Sequence, residues 1–202
     1  MSIKAIIYDI EIDILKIHYD PVLLKLKKDL HLSISKIKNL FFSPQFYFFT
    51  IGKLNFENFI KTSFNELMLD SSYISKIEKK YKKSFEYFSE KKNNLIMLGN
   101  ILNISVFFSA DIDSSIANSL TKKDPSINKI SFFSSKINAV KQENYFMEKI
   151  INQLGLDSSN ILIVDDNLDV LIAAREFGFF TLFYDGKRDF YELLNLINQN
   201  ID

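Results

Sequence analysis

Ile163-Val164-Asp165-Asp166-Asn167-Leu168 decides how this chain is read. The apolar run that starts at Ile161 ends in two consecutive carboxylates, and a helical pattern follows from Leu168 to Phe177, closed by Gly178. Apolar residues without a polar interruption describe a short strand buried on both faces. The acids stand at its C-terminal end, and in open α/β sheets the ligand crevice lies outside those ends. Two adjacent carboxylates repel each other, so the pair suits a hard cation such as Mg2+, which takes oxygen ligands. It equally suits an acidic helix cap, with Asp166 or Asn167 at the start of the next helix.

A second acidic strand end lies at the other end of the chain. Ile3 to Tyr8 reads as a buried strand, Asp9 closes it, and Glu11 and Asp13 follow at alternate positions. Paired side by side in a parallel sheet, the two strands would bring their carboxylates onto one cation. The alternation also suits an edge strand with one wet face. Between them, Ile104 to Phe108 runs into Ser109-Ala110-Asp111, which sets a hydroxyl where it can hold a phosphate oxygen or form an ordinary turn. Lys141 follows the strand-like Ile130 to Phe133 and precedes a helix expected over 142–154. It offers a cation to a phosphate, or is one more solvated lysine. The order strand–Asp, strand–Ser, Lys before a helix, strand–Asp-Asp is far more specific than any of its parts.

In that order the chain resembles the haloacid dehalogenase (HAD) superfamily. Residues 141–156, from Lys141 to Leu156, are similar without gaps to the family's lysine-bearing helix. Residues 157–183 are similar to its double-Asp strand, helix and following strand. Ile3 to Asp9 matches the nucleophile strand, and Gly52 to Phe59 resembles a turn and helix of the family's small helical caps. The resemblance implies an α/β protein with a Rossmann-like parallel sheet core, the HAD fold, and an α-helical cap inserted after the first strand. Residues 1–14 and 89–202 would form the core and 15–88 the cap. It also implies a Mg2+-dependent phosphatase that acts on a small phosphomonoester, a sugar phosphate or similar, through an aspartyl-phosphate. The double Asp followed by Asn167-Leu168-Asp169 is most similar to a branch that includes sugar-1-phosphate phosphatases. Carried over position by position, Asp9 is the nucleophile and Glu11 the acid/base. Ser109 and Lys141 bind the phosphate oxygens. Asp9, the main-chain carbonyl of Glu11 and Asp166 hold the metal, with Asp165 supporting its water shell.

The chain departs from the family at four places. Glu11 replaces an Asp and carries its carboxyl one methylene further from the strand. Ile12-Asp13 replaces Gly-Thr, Gln142 replaces a Pro, and Val170 stands where a further acid aligns, with Asp169 one residue early. A HAD-fold protein that has lost catalysis and serves as a binding or regulatory module is therefore the alternative. Dehalogenation fits less well, since Lys141 and the Asp pair suit phosphate better than halide. A phospho-accepting receiver domain opens on a similar strand, but it requires about a hundred further residues, and the chain ends too soon.

Composition bounds the rest. A chain of 202 residues with 47% hydrophobic content suits one domain with a small insertion. Its 25 basic and 25 acidic residues balance, which gives nucleic acid or an anionic membrane no reason to bind. No cysteine is present, in keeping with a cytoplasmic protein. No apolar run reaches the ~18 residues of a membrane span. The expected partner is a small phosphorylated metabolite, and the expected state a monomer or homodimer. Helical patterns cover 21–30, 33–42, 55–69 and 73–88, with Ser33 and Asn55 as N-caps. The aromatic residues from Phe41 to Phe49 are expected to pack the cap or else to form a dimer surface or substrate pocket. His18 and His31 have no partner motif, and Asp124-Pro125 reads as a plain turn.

Overall fold

The computed structural model describes residues 3–187 together with 192, 195 and 197. Five strands form a parallel sheet: β1 (Ala5–Asp9), β4 (Ser105–Ala110), β5 (Ser131–Phe133), β6 (Ile161–Asp165) and β7 (Phe180–Phe183), in the order β5-β4-β1-β6-β7. The edge-strand reading of the first strand is thus overturned. β1 lies at the centre, paired with β4 and β6, and all five of its residues are buried. Its residues divide by the two-residue period of a strand. Ile6 and Tyr8 join one core cluster with Phe108, Leu162 and Val164, while Ala5 and Ile7 join the other with Phe132, Ile161 and Ile163. Burial on both faces explains why these strands read as unbroken apolar runs.

From β1 the chain proceeds outward through β4 to β5 and then crosses back to β6 on the other side of β1. This reversal between β1 and β6 is the switch point at which open α/β sheets leave a crevice. Asp9 and Asp165 are the last residues of the two strands that flank it. Helices α6 (Ser89–Leu102), α7 (Ser114–Lys123), α8 (Ser134–Ile137), α9 (Asn144–Leu154) and α10 (Leu168–Glu176) make the remaining connections.

A separate helical block interrupts the chain after β1. Strands β2 (Leu15–Ile17) and β3 (Phe85–Tyr87) pair antiparallel, and α1 (Asp20–Leu30), α2 (Ile34–Phe41), α3 (Pro44–Thr50), α4 (Phe56–Ser63) and α5 (Ser71–Tyr81) lie between them. Ser33 and Asn55 cap α2 and α4 as expected, accepting from the N–H groups of Lys36 and Asn58. The helix expected over 73–88 ends at Tyr81 instead. Phe85-Glu86-Tyr87 pairs antiparallel with β2, and that long-range partner overrides the helical pattern. The helix expected over 55–69 gives way after Ser63 to a 3-10 turn, Asn65–Leu67.

The aromatic stretch packs the helical block. Phe41, Phe49, Phe56 and Phe59 are buried, with the Phe49 and Phe59 rings stacked at 4.6 Å. Phe42, Tyr47 and Phe48 remain exposed. Asp124 is more than a turn residue. It accepts from the Tyr87 hydroxyl at 2.5 Å and from the buried Lys92 ammonium at 2.5 Å, tying β3 and α6 to the end of α7. Burial raises its pKa, and the Lys92, Ser126 and Tyr87 bonds outweigh that and hold the carboxyl below the usual range. Among the described residues, no helix is long and apolar enough to cross a membrane.

Candidate active site

Parallel pairing brings residues that are distant in sequence to one edge of the sheet. Asp9 is in register with Ser109 across the β1–β4 ladder, and Tyr8 with Val164 across the β1–β6 ladder, which sets Asp9 level with Asp165. Lys141 does not begin a helix. It lies in a turn three residues before α9, and Glu143 closes that turn through its N–H to the Val140 carbonyl. From there the Lys141 ammonium reaches Asp9 Oδ2 at 2.7 Å and Asp165 Oδ2 at 2.9 Å. Asp9, Ser109, Lys141 and Asp165 are 2%, 3%, 4% and 0% exposed, so these polar groups must satisfy one another or a ligand.

The β6 end is closed by local bonds. Asp165 Oδ1 accepts from the Asn167 N–H at 2.9 Å, and Asn167 caps α10 by accepting from the Asp169 N–H at 2.9 Å. The helix cap is therefore Asn167, which leaves the exposed Asp166 carboxylate outside the capping role. The β1 end is built differently. The Glu11 N–H donates to Asp9 Oδ1 at 3.1 Å, while the Glu11 carboxylate extends to the end of β4 and accepts from the Asp111 N–H at 2.8 Å. Asp13 turns elsewhere, accepting from the Tyr8 hydroxyl at 3.1 Å and from Lys91 at 3.2 Å.

Carboxylates outnumber the cation here. Asp9, Asp165, Glu11 and Asp111 all raise the pKa of Lys141, and together they overcome its burial and keep it protonated. In return, burial pushes Asp9 up to about 7, with the Asp165 charge adding to the rise and Lys141 opposing it. Burial and the charge of Asp9 push Glu11 up to about 8, again against Lys141. Burial takes Asp111 to about 6. This excess of buried negative charge leaves room for a second cation. Asp9, Asp165 and Asp166 each offer a carboxylate oxygen, all within 4.8 Å of one another. An all-oxygen set of this kind fits a hard divalent ion such as Mg2+.

The structure thus gathers Asp9, Glu11, Ser109, Lys141, Asp165 and Asp166 at one sheet edge, with the Glu11 carboxylate outside the metal-capable trio. Sequence reasoning passed over two acids. Asp111 takes the Lys141 N–H on Oδ1 at 3.0 Å, and its place directly after the Ser109 strand end was the available signal. Asp113 caps α7 through the Ser115 and Ile116 N–H groups and accepts the buried Tyr81 hydroxyl from the helical block. An Asp before Ser114-Ser115-Ile116 is a capping pattern. His18 faces Glu86 at 3.5 Å, and His31 ends α1 in a left-handed conformation; neither joins the site.

No known family profile matches the chain, and no curated protein matches it by sequence. Solved structures do match in shape. A HAD-family enzyme from Bacteroides thetaiotaomicron, in complex with magnesium and inorganic phosphate, superposes with a TM-score of 0.75 at 15% identity over 95% of this chain and 99% of that one. A HAD phosphatase from Thermococcus onnurineus gives 0.64 at 16% identity over 96% and 98%. A 2-haloacid dehalogenase from Pseudomonas syringae gives 0.68 at 10% identity over 98% and 99%. Likeness at these identities speaks for architecture, and by it this chain has the HAD-like hydrolase fold.

Proposed function

We propose that the chain is a Mg2+-dependent phosphatase that hydrolyses a small phosphomonoester through a phosphorylated Asp9. One observation carries this reading: a buried lysine bridges the carboxylates that end two neighbouring central strands, with a third acid and a serine beside them. Asp9, Asp166 and the main-chain carbonyl of Glu11 would hold the ion, with Asp165 beside it. A bound Mg2+ would neutralise the carboxylates and steady charge on the transferring phosphoryl group.

The chain's own groups supply the rest. Ser109 and the Lys141 ammonium bind non-bridging phosphate oxygens, and Lys141 also orients the Asp9 carboxylate it touches. An Asp9 oxygen attacks phosphorus as the ester P–O bond breaks, and the Glu11 carboxyl gives its proton to the departing oxygen. The Glu11 carboxylate then takes a proton from a water whose oxygen attacks the same phosphorus, which frees Asp9 and releases phosphate. Burial and the charge of Asp9 raise Glu11 to about 8 in the metal-free protein, the direction that suits a general acid. The helical block from α1 to α5 serves as the cap over this edge and selects the alcohol part of the substrate. The dehalogenase among the structural relatives shares the fold, but a halide has no use for the metal-capable acid trio.

Turnover of p-nitrophenyl phosphate by the purified protein tests the reading, with and without Mg2+ and with Asp9→Asn as control. Mg2+-dependent release that Asp9→Asn abolishes supports it. Wild type equal to Asp9→Asn on every ester would make the chain a HAD-fold binding or regulatory module instead.

A further inference from the structure

Glu11 at first looks like a damaged position, since it stands one methylene too far from its strand. The bonds around it point the other way. Its N–H donates to Asp9 Oδ1 at 3.1 Å, and its side chain spans to the β4 end, where Oε2 accepts the Asp111 N–H at 2.8 Å. Asp111 then uses its carboxylate in the opposite direction, taking the Lys141 N–H on Oδ1 at 3.0 Å. Lys141 completes the circuit through its ammonium to Asp9 Oδ2 at 2.7 Å. Each of the four links ends on a carboxyl group, and the shortest is the ion pair between Lys141 and Asp9.

This circuit gives length a purpose. The Asp111 N–H holds one carboxylate oxygen of Glu11 and leaves Oε1 outside that bond. An aspartate at position 11 would end about 1.5 Å short, the length of one carbon–carbon bond, and would lose the Asp111 N–H. The main chain after β4 is therefore fitted to a longer acid at position 11. The carboxylate of Asp111 meanwhile fixes the turn from which Lys141 reaches the phosphate position.

Resting on the phosphatase reading above, we infer that Asp111 is a positioning residue for that reaction. It seats the longer Glu11 in the proton-transfer position and sets Lys141 at a fixed distance from it. The circuit makes Glu11 a working acid in this chain rather than the remnant of one.

Two arms test this. The first compares an alkyl phosphate, whose alcohol needs a proton to leave, with p-nitrophenyl phosphate, whose phenolate does not. Glu11→Asp is expected to lower the ratio of alkyl to p-nitrophenyl turnover by about tenfold, since a misplacement of ~1 Å can cost up to ~10²-fold. A ratio equal to or above that of wild type would overturn the fit of Glu11. The second arm titrates inorganic phosphate calorimetrically in the presence of Mg2+, with thermal melts confirming that each variant is folded. Asp111→Ala is expected to weaken phosphate binding about threefold to tenfold, and Asp111→Asn, which keeps an acceptor oxygen for the Lys141 N–H, to recover most of it. Wild-type affinity in Asp111→Ala would overturn the positioning of Lys141. A wild type without Asp9-dependent turnover would remove the phosphatase reading and the Glu11 half together, while the phosphate titration would still decide the Lys141 half.

Discussion

The ends of β1 and β6 lie side by side, yet they are held in different ways. At β6 the bonds that shape the turn are local: Asp165 Oδ1 takes the N–H two residues on, and Asn167 does the same for Asp169, while Lys141 reaches Asp165 Oδ2 from further along the chain. At β1 the Asp9–Glu11 and Tyr8–Asp13 links are local, and the carboxylates of Asp9 and Glu11 otherwise bond to distant chain. Glu11 is tied to Asp111 and Asp9 to Lys141, elements about a hundred residues away or more. Local closure lets a short motif encode the β6 half of the metal-capable trio, Asp165 and Asp166. Long-range closure brings Asp111 to Glu11 and Lys141 to Asp9, and this half exists only once the sheet has formed.

Four experiments sharpen or break that contrast. The largest effect is expected from Lys141→Met. This removes the cation that touches both strand ends and leaves Asp9 and Asp165 facing each other in a buried site. Breaking a buried pair in this way costs about 3–5 kcal/mol, to be read by urea unfolding in EDTA. A loss below ~1 kcal/mol would mean that the carboxylates relax without it.

Next comes the metal itself. Mg2+ at a hundred times its dissociation constant should stabilise wild type by about 2.7 kcal/mol, because it binds only the native state. Asp166→Asn should lose most of that gain while keeping its metal-free stability or exceeding it, since Asp166 is exposed and lies near two other acids. Equal Mg2+ shifts in both proteins would take Asp166 out of the site.

A pH series follows. Asp9 and Glu11 rise in the fold from 3.8 and 4.5 to about 7 and about 8. The native state then binds more protons than the unfolded one, so stability falls with rising pH through that window. Metal-free protein should be more stable near pH 5 than near pH 8, and saturating Mg2+ should flatten the difference. A metal-free curve that rises over the same range would contradict the excess-charge account.

The smallest effect belongs to Asn167→Ala, which removes the cap of α10 and should cost about 1 kcal/mol. Its Mg2+ shift should remain close to that of wild type, because the cap and the metal position are separate residues. A lost Mg2+ shift would merge them.

The same contrast explains what could be read in advance. Strands β1 and β6 were legible because burial on both faces leaves apolar runs, and the acids at their ends mark the crevice. Ser33 and Asn55 were legible because a cap acts within three residues. Phe85 to Tyr87 was not, because its strand identity depends on β2, some seventy residues earlier. Asp124 read as a turn because Tyr87 and Lys92, which give it a role, lie more than thirty residues away. Asp111 was missed for the same reason: its N–H and carboxylate serve Glu11 and Lys141, and neither is near in sequence.

The central claim is that these two strand ends form one Mg2+ site that passes a phosphoryl group to Asp9. Acid-quenching the protein during turnover of an ester labelled in its phosphoryl group, followed by peptide mapping, tests it most directly. The account predicts Mg2+-dependent label on the peptide that contains Asp9 and none in Asp9→Asn. Turnover that proceeds with no label on that peptide, or with label on another, would contradict it.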